Sequence, residues 1–241
     1  MERQRYFGQI IDGQAVLSED DVFHCTRVMR MRIGEELEVV CDNQAFVGVV
    51  KSVKPFQVDI IGKLKEKREL PNEIILVCAL LKGEKIDFVL QKATELGVSE
   101  VVLCETKRSI VRLKEAKKEA RVARYQRIMK EASEQSKRLR VPNLFRIIPF
   151  EDIDVINADV KLIAYEEVAG DTKSFNEQIK SLEKGKRLII VVGPEGGFTP
   201  DEVMYAKAKG FTPVSLGRRI LRAETACIYA LSVISNYLER K

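Results

Sequence analysis

Two short segments near the C-terminus have residue types and spacings suited to ligand chemistry. One is Val192-Gly-Pro-Glu-Gly-Gly-Phe198, directly after the apolar run Leu188–Val192. The other is Ser215-Leu-Gly-Arg-Arg-Ile-Leu-Arg-Ala-Glu-Thr-Ala226. Glycine lets a backbone approach a ligand closely or adopt positive φ. Gly193, Gly196, Gly197 and Gly217 are positioned for either use. The second segment adds Arg218, Arg219, Arg222 and Glu224, which supply charge. Ordinary tight turns are the plain alternative for each cluster, but two clusters at strand ends favour a binding site. A P-loop requires G-x-x-x-x-G-K-[ST], and the sequence has none. A Rossmann-type site sets its glycines after the first strand, with an acid about 20 residues later. Here the glycines fall in the last quarter of the chain.

Composition removes other chemistries. His24 is the single histidine, so no site in one chain can use two. The five cysteines (25, 41, 78, 104 and 227) are widely spaced, with no C-x-x-C. That excludes a zinc ribbon, a thioredoxin motif and a disulfide framework. No metal site is expected. The N-terminus has no apolar h-region, and no run approaches the roughly 18 apolar residues of a membrane span. A cytoplasmic, reducing compartment is expected, with no membrane partner.

These loops need a scaffold, and the pattern supplies one. At 241 residues, 45% hydrophobic and 32% charged, the chain reads as one large globular domain or two modest ones. Residues 1–64 are mostly β-prone. Leu37–Cys41, Ala45–Val53 and Phe56–Ile61 are short strands, with Asp42-Asn43 as a turn signal. One helix interrupts them, capped at Ser18 and carrying Val22, Cys25 and Met29 at helical spacing. The charged stretch Lys63–Asn72 reads as a linker.

Strand and helix patterns alternate from Glu73 onward. Ile74–Leu81, Val101–Cys104, Val160–Tyr165, Leu188–Val192 and Thr212–Leu216 read as strands. Glu84–Leu96, a long basic stretch Lys114–Ser136, the segment capped by Thr199-Pro-Asp-Glu202, and the C-terminal stretch with Ala226, Ala230 and Tyr237 read as helices. This alternation predicts a parallel α/β domain, whose ligands bind at the carboxyl ends of strands. The expected domains are 1–70, a small β-barrel with one helix, and 71–241, the α/β domain.

The formal net charge is +5, but it is unevenly spread. Residues 107–146 contain 14 basic and 4 acidic residues. One reading is a solvated helix face. The other is a polyanion footprint that displaces counterions from phosphates. Glu115, Glu119, Glu131 and Glu134 are the only acids within the segment, which favours the second.

At VGPEGGF (192–198) and LGRRILRAETA (216–226) the sequence strongly resembles the RsmE family. These are small-subunit ribosomal RNA methyltransferases of the SPOUT superfamily that act at N3 of a uridine. The resemblance extends through Lys82-Gly83, Gln91-Lys-Ala-Thr-Glu-Leu-Gly97, Lys107-Arg-Ser109, Glu134-Gln-Ser136 and Val141-Pro142. It includes Arg5-Tyr-Phe7 and His24–Arg30, and so covers most of the chain. Two positions depart from the family: Lys137 stands where Gly is expected, and Ala223 where Thr is common, removing a possible hydroxyl cap from the last helix. The resemblance implies a PUA-like RNA-binding barrel followed by a SPOUT α/β domain with a C-terminal trefoil knot. It also implies S-adenosylmethionine as cofactor, 16S ribosomal RNA or the small ribosomal subunit as partner, and a homodimer with the active site at the interface.

On this resemblance, Tyr165, Gly193, Pro194, Glu195, Gly196, Gly197, Leu216, Gly217, Ile220, Leu221 and Ala226 are expected to bind the cofactor. Glu195 either meets the ribose or amino group of the cofactor or caps a neighbouring turn. Arg222 is expected to stabilise charge developing on the uracil oxygens. Glu224 orients Arg222 or accepts the proton itself; the structural alternative is a salt bridge at a helix N-terminus. Lys107, Arg108, Arg112, Lys137, Arg138 and Arg140 are expected to contact RNA, mainly at phosphates, with Arg27 and Arg30 as further candidates. His24 is either a partly buried structural residue or an RNA contact. A 2′-O-ribose methyltransferase of the same superfamily would carry Ser-Leu-Asn before the last helix, where this chain has Leu-Arg-Ala-Glu-Thr-Ala. A non-catalytic ribosome assembly factor is the alternative from another class, and the intact glycine loops argue against it.

Overall fold

The structure is a computed structural model that describes residues 3–111, 115–165 and 175–240. It divides into two compact units. The first is the chain up to Glu69 together with Ser133–Arg140; the second is the remainder.

The first unit has six strands: β1 (Arg5–Phe7), β2 (Gln9–Ile11), β3 (Gln14–Val16), β4 (Glu36–Cys41), β5 (Gln44–Val53) and β6 (Phe56–Lys63). Their order in the sheet is β1-β4-β5-β6-β3-β2. β1 and β2 lie at opposite ends of that order, yet only Gly8 separates them in sequence. The sheet must therefore curl until its two edges meet, as in a small barrel. The turn signal Asp42-Asn43 joins β4 to β5, with both residues at positive φ, as a tight hairpin requires. Inside lie Tyr6, Cys25, Leu37, Val39, Val50 and Val58.

Ser18 caps helix α1 (Glu19–Phe23), its hydroxyl accepting from the Asp21 N–H. The helical spacing predicted through Met29 does not hold. His24–Val28 is a π-helical turn, closed by Met29 N–H to His24 C=O at 2.9 Å. The wider turn carries Met29 off the buried face, and the residue is 40% exposed. His24 is half-buried, with Nδ1 2.9 Å from the Tyr6 hydroxyl.

A charged network binds Ser133–Arg140 into this unit. Arg5 is 2% exposed. It pairs with Glu38 at 2.8 Å and Glu66 at 2.5 Å, and donates to the carbonyls of Lys137 and Arg138. Lys137 pairs with Glu38 at 3.0 Å. Glu69 takes Arg138 at 2.5 Å and Arg140 at 3.1 Å, and accepts from the Leu139 N–H. The stretch expected as a linker thus contributes two structural carboxylates. Lys137 has φ +60°, the left-handed conformation in which a helix C-terminus usually places glycine. This accords with the glycine that the resemblance leads one to expect there; Lys137 instead brings its ammonium to Glu38.

Burial pushes the Glu38 carboxyl up, but hydrogen bonds from Lys137 and Arg5 outweigh it and hold the group below its ordinary value. Glu69 behaves likewise under Arg138. A depressed carboxylate contributes stability above its unfolded value and loses it as the pH falls through the folded one. The urea midpoint of the protein, followed by far-UV circular dichroism, is therefore expected to drop as pH is lowered below about 4.5.

The second unit alternates strands and helices: β7 (Glu73–Ala79), α2 (Lys85–Glu95), β8 (Glu100–Glu105), α3 (Glu115–Gln135), β9 (Asn143–Pro149), β10 (Val160–Ala164), α4 (Phe175–Lys180), β11 (Arg187–Val192), α5 (Pro200–Ala208), β12 (Thr212–Val214) and α6 (Ala223–Leu238). The last residues of α3 belong to the first unit. The sheet order is β12-β10-β11-β7-β8-β9, and every neighbouring pair is parallel. Alternate residues of β7 enter two different cores: Ile74, Leu76 and Cys78 face α2, α3 and α6, while Ile75, Val77 and Ala79 face α5 and the 3₁₀ turn Phe150–Val155. Burial on both faces explains the unbroken apolar run. From the edge strand β12 the chain returns to α6, which packs on α2 and β11. A knotted C-terminus needs such a back-crossing.

Candidate functional site

The two glycine loops leave the carboxyl ends of β11 and β12. These strands are not adjacent, because β10 runs between them. The site is thus built on three strand ends, and β10 contributes Ala164 and Tyr165 between the loops. Together they enclose a pocket of about 340 Å³.

All eleven expected cofactor residues, from Tyr165 to Ala226, line this pocket. Arg222 lines it too, as do Arg108, Val192, Phe198, Ser215 and Arg219. Gly193 packs so closely on the Phe198 ring that a Cβ there would lie 3.1 Å from it. Gly217 has φ +133°, a conformation open essentially to glycine alone. Its N–H donates to the Ser215 hydroxyl, which shapes the second loop locally. Thr199 caps α5 in a reciprocal capping box with Glu202, fixing where the first loop ends.

Arg222 is the N-cap of α6, with extended backbone and an exposed side chain. Ala223 is therefore the first helical residue and is buried, so a hydroxyl at that position would not have been the cap. Glu224 lies in the first turn of α6. Among the described residues its ion pair is with Lys85, 3.7 Å away, rather than with Arg222. Glu224 Oε2 is buried without a hydrogen-bond partner among the described residues.

Lys85 Nζ also donates to Glu195 at 2.9 Å. Glu195 accepts in addition from the Lys82 N–H at 3.4 Å. Burial works to raise the Glu195 carboxyl, and the hydrogen bond from Lys85, joined by backbone N–H donors including Lys82 and by the Lys85 charge, brings it below its ordinary value. The same bond raises Lys85 above its ordinary value. Lys85 is the residue that sequence reasoning missed; its position two residues after Gly83, at the start of α2, was the available signal. Arg219 was noted only as charge in the loop, and the structure puts it on the pocket wall.

The expected RNA contacts fare unevenly. Arg27 and Arg30 are exposed on the first unit. Lys107 is exposed, with its backbone N–H held by Glu202. Arg108 donates to the carbonyls of Gly196 at 3.0 Å and Phe198 at 3.3 Å, so it braces the first glycine loop. Arg112 lies outside the described residues. Lys137 and Arg140 are half-buried in ion pairs, and Arg138 is 2% exposed. Arg138 is therefore corrected from a phosphate contact to a structural cation, because a guanidinium closed off on Glu69 cannot reach a phosphate. Arg124 pairs with Asp87. The acids that neutralise the basic segment come from elsewhere in the chain, so its footprint is smaller than local charge counting implies. Among the described residues no group of His, Cys, Asp and Glu could hold a metal, and no helix is long and apolar enough to cross a membrane.

Residues 68–235 match the RNA methyltransferase domain family, and residues 17–61 match the RNA methyltransferase PUA domain family. The chain is 35% identical to ribosomal RNA small subunit methyltransferase E of Bacillus subtilis, over 98% of this chain and 97% of that protein. A solved Legionella pneumophila protein described as a methyltransferase with bound SAM has a TM-score of 0.88 at 30% identity, covering 98% of each chain. Ribosomal RNA small subunit methyltransferase E of Neisseria gonorrhoeae, bound to S-adenosyl methionine, has a TM-score of 0.85 at 28% identity, again covering 98% of each.

Proposed function

The chain belongs to the RsmE family of ribosomal RNA small subunit methyltransferases, and from that premise we propose that it methylates N3 of a uridine in 16S ribosomal RNA with S-adenosylmethionine. The observation that carries this reading is the pocket at the ends of β11, β10 and β12, lined by both glycine loops. Its residues fit the cofactor. Val192, Leu216, Leu221 and Ala226 give apolar walls for an adenine ring, and the glycine-bearing backbones offer hydrogen-bonding groups close in. Glu195 supplies a carboxylate at the rim.

When bound, the cofactor supplies an electrophilic methyl group. The chain's own task is to orient the base and make its N3 a nucleophile. Uracil N3 carries a proton, and its anion spreads charge onto O2 and O4. Arg222, exposed on the pocket wall, is suited to stabilise that charge. Glu224 is the carboxylate nearest to Arg222 in sequence, but it does not line the pocket and pairs with Lys85, which supports the structural alternative over proton acceptance. The target base has to be unpaired or flipped for N3 to be reached. Lys107, Arg27 and Arg30 retain the exposure that a phosphate contact needs.

A homodimer with the active site at the interface is part of the reading. Ile220, in the pocket's second loop, is 83% exposed, and an apolar side chain there is suited to cover by a second copy. A cytoplasmic setting accords with five free cysteines. The test is transfer of a labelled methyl group onto small subunits lacking the modification, with the product nucleoside identified. The expected product is 3-methyluridine; a 2′-O-methylated nucleoside or no transfer would overturn the proposal.

A further inference from the structure

Three charged side chains from three separate elements converge beside the pocket. Lys85 opens α2, Glu195 stands in the loop after β11, and Glu224 lies in the first turn of α6. Left alone, two carboxylates on neighbouring pocket segments would repel each other and push the segments apart. Lys85 Nζ lies between them, at 2.9 Å from Glu195 and 3.7 Å from Glu224. Glu224 Oε2 is buried with no hydrogen bond among the described residues, so its charge depends on this ammonium and on the α6 N-terminus. Arg222, one residue before α6, is close enough to Lys85 to repel it. Moving Lys85 would therefore change the field around Arg222 as well.

We propose that Lys85 is a positioning residue of the cofactor pocket, tying the loop after β11 to the first turn of α6 through Glu195 and Glu224. This rests on the reading of the pocket as the S-adenosylmethionine site. Lys85 is not among the residues lining the pocket and is not required to touch the cofactor. It acts by keeping the two glycine loops in register. Glu195 is also held by the Lys82 N–H, so α2 and the turn before it form the anchor.

The test is calorimetric binding of S-adenosylhomocysteine to the full-length protein, which needs neither RNA nor turnover. Lys85→Met is expected to weaken binding about tenfold, as is typical when a coupled ion-pair network is broken. Lys85→Arg, which keeps the charge, is expected to stay within about threefold of wild type. Glu195→Gln is expected to weaken binding, and the Lys85→Met/Glu195→Gln double variant to bind no worse than the weaker single one. Wild-type affinity in Lys85→Met would overturn the proposal. So would losses that add fully in the double variant, or a Lys85→Arg variant as impaired as Lys85→Met. Should Lys85→Met fail to fold, Lys85→Arg and Glu224→Gln decide, since neither residue lines the pocket: near-native binding by the first and weakened binding by the second support the bridge, and any other pair of results refutes it. Failure of the wild-type protein to bind S-adenosylhomocysteine would instead refute the reading of the pocket.

Discussion

Arg222→Ala is expected to slow methyl transfer by about 100- to 1,000-fold, the usual cost of removing one preorganised charge stabiliser from a transition state. S-adenosylhomocysteine affinity should change little, because the pocket's apolar and backbone groups are untouched. The split matters more than the size. An effect confined to turnover means that Arg222 meets charge that develops during the reaction; an equal loss in cofactor affinity means that it holds the pocket together. Single-turnover transfer at saturating cofactor separates the two. A near-normal rate would remove Arg222 from the chemistry and leave it as the N-cap residue of α6.

Arg5→Leu is expected to have the largest effect on stability. The guanidinium is closed off from solvent and holds Glu38, Glu66 and two backbone carbonyls at once. Removing one partner of a buried charge network costs about 3–5 kcal/mol; Lys137 still partners Glu38 and Arg68 still partners Glu66, so the loss is expected at the lower end of that range. The leucine is smaller than the arginine and cannot hydrogen-bond the carbonyls of Lys137 and Arg138. Urea unfolding of Arg5→Leu against wild type measures the loss, and a change below about 1 kcal/mol would mean that water replaces the arginine. Cofactor binding, which belongs to the second unit, is a control that should survive in the folded fraction.

The parts of this molecule that the sequence made legible were those with strong local signals. The double-sided strands β7 and β11 announced themselves as apolar runs, and Thr199-Pro-Asp-Glu202 marked the start of α5. The pocket was legible through its glycines, whose backbone demands are local. β1, β2 and β3 were not, because three residues are too few to show a period. β9 was not legible because its strand-like run Leu144-Phe-Arg-Ile-Ile148 is broken by Arg146 and preceded by Arg138 and Arg140, which mask its apolar character. The π-helical turn was hidden because Val22, Cys25 and Met29 fit a regular helix equally well. That Lys85 was missed and Arg138 expected at RNA has one shared reason. The worth of a charged side chain depends on partners distant in sequence, and Glu195, Glu224 and Glu69 are 110, 139 and 69 residues away respectively. Charge counted along a window cannot detect that neutralisation.

The first unit also sets a condition on synthesis. Its strands are complete by Lys63, but Ser133–Arg140 closes its charged network. On a chain leaving the ribosome, Arg5 meets Glu38 and Glu66 early, but its two carbonyl acceptors and the cations that pair with Glu69 are missing until Arg140 has emerged, by which time β7, α2, β8 and α3 have been made. N-terminal domains ordinarily fold first during translation; here the barrel cannot finish ahead of its neighbour's first half. Cutting the gene at the apparent boundary near residue 70 would separate Arg5 from its carbonyl acceptors and Arg138 from Glu69, leaving the segment that completes the first unit on the C-terminal fragment.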